Sequence, residues 1–243
     1  MVKRTVVVLA AGRGTRLHPL TIERPKCLIE VSGRALLDHL LEEFSDWADR
    51  VVVVTGHAHS ALHTHLEQNT SYREIILVHN DQYEKTNSLS SAALSLPYWD
   101  DSSEVVITNS DVIFGAGALR PLLASEHACV VAVVEKPWDI EDMKVRVDRD
   151  KGEILEVSKE IPPTDSFGEF TGVVKLSGDG LRIMRATIEE MLSDSDLGPR
   201  VWYDLAIDRV ARRGGGVRYV LISDDKYAEI DTLEDLEDVR RRF

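Results

Sequence analysis

Hydrophobic positions in this chain fall into short β-branched runs separated by longer segments of helical spacing. Val6 to Leu9, Val51 to Thr55, Ile75 to His79 and Val105 to Thr108 read as strands with apolar residues on both faces, the pattern of a sheet covered on both sides. Leu36, Leu37, Leu40, Leu41 and Phe44 recur on one side of a helix. Ser60 is the expected N-cap of a helix running to about Gln68, and Asn87 to Leu96 reads as a helix ended before Pro97. The second half changes character. A strand from Val130 to Val134 is followed by shorter ones at Met143 to Val147, Ile154 to Val157 and Phe170 to Leu176, separated by turns such as Asp150-Lys151-Gly152. Helices follow at Leu181 to Leu192 and Val201 to Arg212, then a strand at Val217 to Ile222 and a last helix at Leu233 to Arg242. Strands alternating with helices predict an α/β fold. The expectation is one Rossmann-like domain with a mostly parallel mixed sheet, helices on both faces and a smaller antiparallel subregion in the second half.

Composition narrows the function. The chain has 243 residues, 43% of them hydrophobic, enough for a sizeable core. With 29 Lys+Arg against 42 Asp+Glu the net charge is −13, so nothing provides the basic face that a nucleic acid requires. An acidic protein that binds an anionic small molecule needs a few well-placed cations and usually a divalent metal. Lys3-Arg4 before Thr5 to Ala11 looks like a short signal peptide, but the apolar run is minimal and a Gly/Arg loop follows at once, so a buried strand explains it better. No stretch approaches membrane-spanning length, and the expected location is cytoplasmic. Cys27 and Cys129 suit a reducing compartment as small buried apolar residues. No internal repeat, low-complexity tract or linker divides the chain.

Leu9-Ala10-Ala11-Gly12-Arg13-Gly14-Thr15-Arg16-Leu17 is the most informative segment. It follows a strand directly, and its small residues let the backbone approach a ligand closely. Successive N–H groups can cradle phosphate oxygens, with Arg13 and Arg16 adding charge. The P-loop pattern is absent, and Leu17 holds the place of the third glycine of a dinucleotide motif.

The stretch LAAGRGTRLHPLTIERPKCLIEVSGRALLDHLLEEF resembles the nucleotidyltransferases that activate sugar 1-phosphates and related small molecules, with Cys27 as its one mild variation. The resemblance extends through the chain and implies a division into an NTP-binding half, 1–125, and an antiparallel acceptor-binding half, 126–243. It implies that Gly12, Arg13, Gly14 and Thr15 wrap the NTP phosphates and that Leu9 and Ala11 also contact the nucleotide. Arg16 would neutralise the pyrophosphate leaving group, and Lys26 would stand between the α-phosphate and the attacking phosphate. Such chemistry relies on positioning and charge neutralisation, with no covalent nucleophile.

Asp111, after Asn109-Ser110, and Asp231, after Tyr227 to Ile230, each end an extended segment. The residues alone leave two readings open for each, a turn or helix cap and a metal ligand. Asp231 could cap the last helix, with Glu234 completing a capping box. The resemblance implies that the two hold Mg²⁺.

Asn80-Asp81-Gln82-Tyr83 followed by Asn87-Ser88-Leu89-Ser90-Ser91 resembles the phosphocholine and phosphonate cytidylyltransferase branch. The implied partners are CTP and a small phosphorylated or phosphonylated acceptor, with Asn87 and Ser91 reading the base and N-capping by Thr86, Asn87 or Ser88 compatible with that role. Lys159, Glu169 and Asp204 fall where that branch places acceptor contacts. Trp138, Trp202 and Tyr203 are candidates for a cage around a cationic acceptor, although a phosphonate or phosphorylated amino acid suits the pattern as well. The alternatives are a sugar-1-phosphate uridylyl- or thymidylyltransferase and a non-catalytic nucleotide sensor, which should have lost Lys26 or a metal aspartate. His57, His59, His63 and His65 are read as a solvated helix and its entry loop, Lys136-Pro137 is set aside, and Asp139 to Asp142 reads as a solvated helix start.

Overall fold

The run Val6–Leu9 lies within β1 (Arg4–Ala10) of a computed structural model that describes residues 2–69, 74–136 and 140–243. The remaining elements are β2 (Glu30–Val31), β3 (Arg34–Ala35), α1 (Leu36–Glu42), β4 (Arg50–Thr55), α2 (His59–Asn69), β5 (Ile75–His79), α3 (Ser88–Leu94), β6 (Glu104–Asn109), β7 (Val112–Phe114) and α4 (Arg120–Ala124). They continue with β8 (Cys129–Val134), β9 (Lys144–Asp148), β10 (Glu153–Ser158), β11 (Gly168–Ser177), α5 (Gly178–Ser193), α6 (Asp204–Arg212), β12 (Arg218–Ile222), β13 (Tyr227–Glu229) and α7 (Leu233–Arg242).

Nine strands form one sheet in the order β5-β4-β1-β6-β11-β8-β12-β10-β9. β5, β4, β1 and β6 are mutually parallel, as are β8 and β12, while β11 runs antiparallel between β6 and β8 and β10 antiparallel between β12 and β9. The expected mixed α/β sheet is therefore present, with its antiparallel part in the second half. Alternation along β1 explains the two covered faces: Val6 and Val8 pack in one apolar layer with Leu37, Leu40 and Leu62, and Val7 and Leu9 in the other with Leu89, Leu181 and Ile207. A third, smaller cluster of Leu17, Ile29, Val31, Leu36, Ile113, Ile230, Leu236 and Val239 ties α7 to the segment following the glycine loop.

Several local expectations are corrected. Ser60 lies inside the first turn of α2, which begins at His59 after Ala58 at φ 49°. Of the caps expected at Thr86, Asn87 or Ser88, Asn87 is the one found, its side chain accepting from Ser88 N, and the helix it opens ends at Leu94 and not Leu96. The helix expected from Val201 starts at Asp204. Ile140 to Asp142 form a turn and bend and not a helix start, while Asp139, Pro137 and Trp138 lie outside the described residues. β2, β3, β7 and α4 are too short to leave a periodic signature and were not expected from the pattern, whereas the extended segment expected at Tyr227 to Ile230 contains β13. Cys27 and Cys129 are free and buried, and burial pushes both thiols up to about 12. No described helix is long and apolar enough to cross a membrane.

The register of β11 against β8 shifts between Phe170 and Val174, around Gly172 at φ 79°, where an added Cβ would stand 2.6 Å from Asn109 Nδ2. The Tyr203 hydroxyl donates to the Gly172 carbonyl, locking the same point from α6. Gly172→Ala combines left-handed strain with a clash, and is expected to cost about 1–3 kcal/mol. A lower urea midpoint at unchanged m would show it; an unshifted midpoint would contradict it.

Candidate active site

The loop after β1 crosses the carboxyl ends of β1, β4 and β6, where ligands gather in open α/β sheets. Gly14 adopts φ 58°, and its carbonyl accepts from Thr21 Oγ1 at 2.7 Å. An added Cβ at Gly14 would stand 3.1 Å from Lys26 Cβ, so the loop lies against the turn that carries Lys26. At Gly12 the same position is open space. The Lys26 turn is anchored by buried Cys27 and Leu28.

Opposite this loop, β7 and β13 pair antiparallel with Glu229 facing Val112. Ile230 N donates to the Asp111 carbonyl at 2.9 Å, so Asp111 and Asp231 meet at the end of this small ladder. The capping reading of Asp231 is corrected. Thr232 is the N-cap, its side chain accepting from Asp235 N, and Asp235, not Glu234, closes the capping box. Asp235 Oδ2 accepts from the backbone N–H groups of Asp231 (2.9 Å) and Thr232 (2.7 Å), leaving the Asp231 carboxylate for the site.

Lys26 Nζ donates to Asp111 Oδ2 at 2.9 Å and Asp231 Oδ1 at 2.6 Å, and Arg16 Nη2 donates to Asp231 Oδ2 at 2.6 Å. Burial disfavours the Lys26 charge, but the two carboxylates outweigh it and raise its pKa. Burial likewise opposes the Asp231 charge, but Lys26 and Arg16 hold its pKa below the ordinary aspartate value. Glu229 completes a group in which one oxygen each from Asp111, Glu229 and Asp231 lies within 4.8 Å of the others. Burial, then the charges of Asp111 and Asp231, raise Glu229 well above its usual range. Asp111 Oδ1 is buried without a hydrogen-bond partner. This oxygen-only donor set with an unpaired inward oxygen fits a hard divalent cation such as Mg²⁺.

Two adjoining clefts share Leu9, Gly12, Arg16, Asp111 and Asp231 as walls. The smaller, about 270 Å³, adds Gly14, Thr15 and Lys26. The larger, about 300 Å³, runs past Ala11, Asn87 and Ser91 to Lys159, Trp202 and Asp204. Asp204 is buried with Oδ1 unpartnered, and burial, reinforced by Asp111 against the opposing Lys159, raises its pKa to about 7. Lys159 Nζ lies 6.0 Å from the Trp202 ring centroid and 3.2 Å from Glu141 Oε2. Tyr203 is buried in the core, so of the three aromatic candidates only Trp202 lines the cleft among the described residues.

Arg13 and Glu169 line neither cleft. Arg13 pairs with Glu84 at 3.8 Å. Glu169 is buried with its Oε2 2.6 Å from Lys136 Nζ, the lysine that sequence reasoning set aside. His59 packs on His79 and His63 at centroid distances of 4.7 and 6.1 Å, but no three-ligand group among the described residues includes a histidine. Sequence reasoning missed Glu229, and gave the buried Asn80 no role beyond its place in a motif. The available signal for Glu229 was its place two residues before Asp231 in an extended segment, which puts both on one side.

The pattern of the MobA-like NTP transferase domain matches residues 6–241. The chain belongs to that family. It is 24% identical to the CTP:phosphoglutamine cytidylyltransferase of Campylobacter jejuni over 95% of this chain and 97% of that protein. Identity is 29% to the CMP-5'-(3-aminopropyl)phosphonate synthase of Streptomyces rubellomurinus, over 98% of this chain but only 38% of that longer protein. It is 34% to the UTP–glucose-1-phosphate uridylyltransferase AglF of Haloferax volcanii, over 69% of this chain and 72% of that protein. The structure of the inositol-1-phosphate CTP transferase from T. maritima superposes with a TM-score of 0.81 at 21% identity, covering 100% of this chain and 96% of that one, a likeness of fold.

Burial, opposed by Lys136 and aided by Asp142 and Asp224, raises Glu169 from 4.5 to about 7. An acid raised in the folded state binds more protons folded than unfolded, so its contribution to stability is complete below pH 4.5 and is lost as pH rises through about 7. Glu169→Gln is expected to remove that part of the slope, on the order of 3 kcal/mol or less. Urea unfolding of both proteins across this pH window measures it, and parallel profiles would refute it.

Proposed function

We propose that this protein transfers CMP from CTP to a small phosphorylated or phosphonylated acceptor, releasing pyrophosphate, with Mg²⁺ held by Asp111 and Asp231. The observation that carries the reading is the convergence of Arg16 and Lys26 with Asp111, Glu229 and Asp231 where two clefts meet. One cleft suits the triphosphate and the other the base and acceptor. The activities named for the Campylobacter, Streptomyces and T. maritima proteins support CTP and a phospho- or phosphono-acceptor. The retained cations and carboxylates argue against a non-catalytic sensor.

In this mechanism an acceptor phosphate or phosphonate oxygen attacks the α-phosphorus in line. A new P–O bond forms to the acceptor, and the bond to the bridging oxygen of the pyrophosphate breaks. The divalent cation, when bound, supplies charge neutralisation across the phosphates. Lys26, freed from its carboxylate partners, neutralises the α-phosphate and the incoming oxygen. Arg16 offsets charge on the departing pyrophosphate, and Gly12 to Thr15 hold the phosphates in register. Asn87 and Ser91 meet the base. Lys159 and Asp204 contact the acceptor, while Glu169 acts at one remove by fixing Lys136. The division into an NTP half at 1–125 and an acceptor half at 126–243 is part of this proposal, with Asp231 supplied across it.

The test is pyrophosphate release from CTP, UTP, dTTP and ATP against phosphocholine, aminoalkylphosphonates, phosphorylated amino acids and hexose 1-phosphates. CTP with a non-sugar acceptor is the expected active pair. Turnover with UTP and glucose 1-phosphate would instead support the reading that the Haloferax relative's name favours. Asp111→Asn and Lys26→Ala are each expected to lower kcat by about 10²–10³. Chelation should stop turnover and Mg²⁺ restore it, whereas full turnover by Asp111→Asn would overturn the metal assignment.

A further inference from the structure

At the base end of the larger cleft lies a buried residue with no role so far, Asn80, 3% exposed. Its hydrogen bonds have only one consistent direction. Gln82 N–H can only donate, and it lies 3.0 Å from Asn80 Oδ1, which fixes the amide oxygen on that side and the Nδ2 on the other. Nδ2 stands 3.2 Å from both Thr86 Oγ1 and Ser91 Oγ. Thr86 commits its own proton to the Gln82 carbonyl at 2.9 Å, so towards Asn80 it accepts. The second Nδ2 hydrogen goes to Ser91, whose oxygen therefore also accepts. The Ser91 proton is left for the cleft that Ser91 lines. Asn87 is fixed the same way: its Oδ1 accepts from Ser88 N at 2.9 Å, so its free polar end is the NH₂ group.

We propose that Asn80 is a positioning residue that sets the polarity of Ser91, so that Ser91 O–H and Asn87 Nδ2–H form a paired donor array selecting cytosine over uracil. The inference rests on the nucleotide reading above and deepens it. Cytosine presents two adjacent acceptors, N3 and O2. Uracil keeps O2 but carries a hydrogen on N3, which would face the Ser91 proton. A site that leaves a buried donor opposed to another donor rejects the wrong ligand strongly.

Calorimetric binding of CTP, UTP and 3-deaza-CTP to the full chain with Mg²⁺ tests this without any acceptor. The wild type is expected to bind CTP about tenfold or more tighter than UTP, and 3-deaza-CTP, which lacks the N3 acceptor, as weakly as UTP. In Asn80→Asp the carboxylate accepts the Ser91 proton, Ser91 turns a lone pair to the cleft, and the preference is expected to shift towards UTP, with UTP binding more tightly in absolute terms. A merely structural role for Asn80 would weaken both nucleotides together. Ser91→Ala is expected to bring the CTP/UTP ratio close to one and to erase the difference between CTP and 3-deaza-CTP. It decides the matter should Asn80→Asp fail to fold. Unchanged ratios in folded variants, or a wild type that binds 3-deaza-CTP as well as CTP, would overturn the inference. The predicted discrimination without transfer to any acceptor would overturn the transferase reading alone, and a wild type preferring UTP would overturn both.

Discussion

The structure turns on Lys26 held between Asp111 and Asp231. These three residues come from a turn after the glycine loop, from the end of the central strand β6, and from the approach to the last helix. Enclosed carboxylates stay ionised side by side only where cations offset them, because each like charge disfavours ionisation of the next and otherwise favours protonation. Lys26 and Arg16 supply two positive charges against Asp111, Glu229 and Asp231. Burial, and then the charges of Asp111 and Asp231, raise the pKa of Glu229. A divalent cation and a nucleotide would together rearrange this balance, and the fold must keep the carboxylates close despite their repulsion.

Two features of the fold meet that demand. β11 inserts antiparallel between β6 and β8, so the second half of the chain is built into the sheet that carries the glycine loop. The satellite cluster places Leu17 and Ile29 from either side of the Lys26 turn against Ile113, Ile230 and Leu236. Apolar burial there fixes the cations and carboxylates relative to each other through side chains that do no chemistry. The capping box of α7 completes this arrangement by satisfying the N–H groups of Asp231 and Thr232 through Asp235, so Asp231 need not serve as a cap.

This division explains what could be read from the sequence. The glycine loop, Arg16 and the main strands were legible because each is local, a strand, a tight turn and charges within a few residues, while Lys26 stood out through the family resemblance. Asp111 and Asp231 were legible only as two open readings, since whether an aspartate caps or ligates depends on which neighbour takes the cap. Glu229 shared a side with Asp231 in an extended segment, but that this side faces the site depends on pairing with β7, which is three residues long and distant in the chain. Glu169 was read as an acceptor contact, yet it lines neither cleft and pairs with Lys136. Its direction depends on the sheet register, with Glu169 opposite Val134 and Lys144, which the local pattern does not encode. Asn80 was noticed only as part of a motif, because hydrogen-bond polarity emerges from a closed network.

The acidic composition also takes on a specific meaning. At −13 overall, the chain offers a phosphate-rich ligand no general attraction. Selectivity for such a ligand must then come from a small set of directed cations and N–H groups. Arg16 and Lys26 line the cleft shared with the glycine loop, while Lys159 lines the far end of the other, beside the buried Asp204. Positive charge therefore stands where the two clefts meet, at Arg16 and Lys26 beside Asp111 and Asp231, and again at Lys159 farther along the larger cleft. A molecule carrying phosphate at one end alone would satisfy half of it. Occupying the whole requires two anionic ligands, or one held against another, which is the geometry that transfer between two phosphoryl compounds demands.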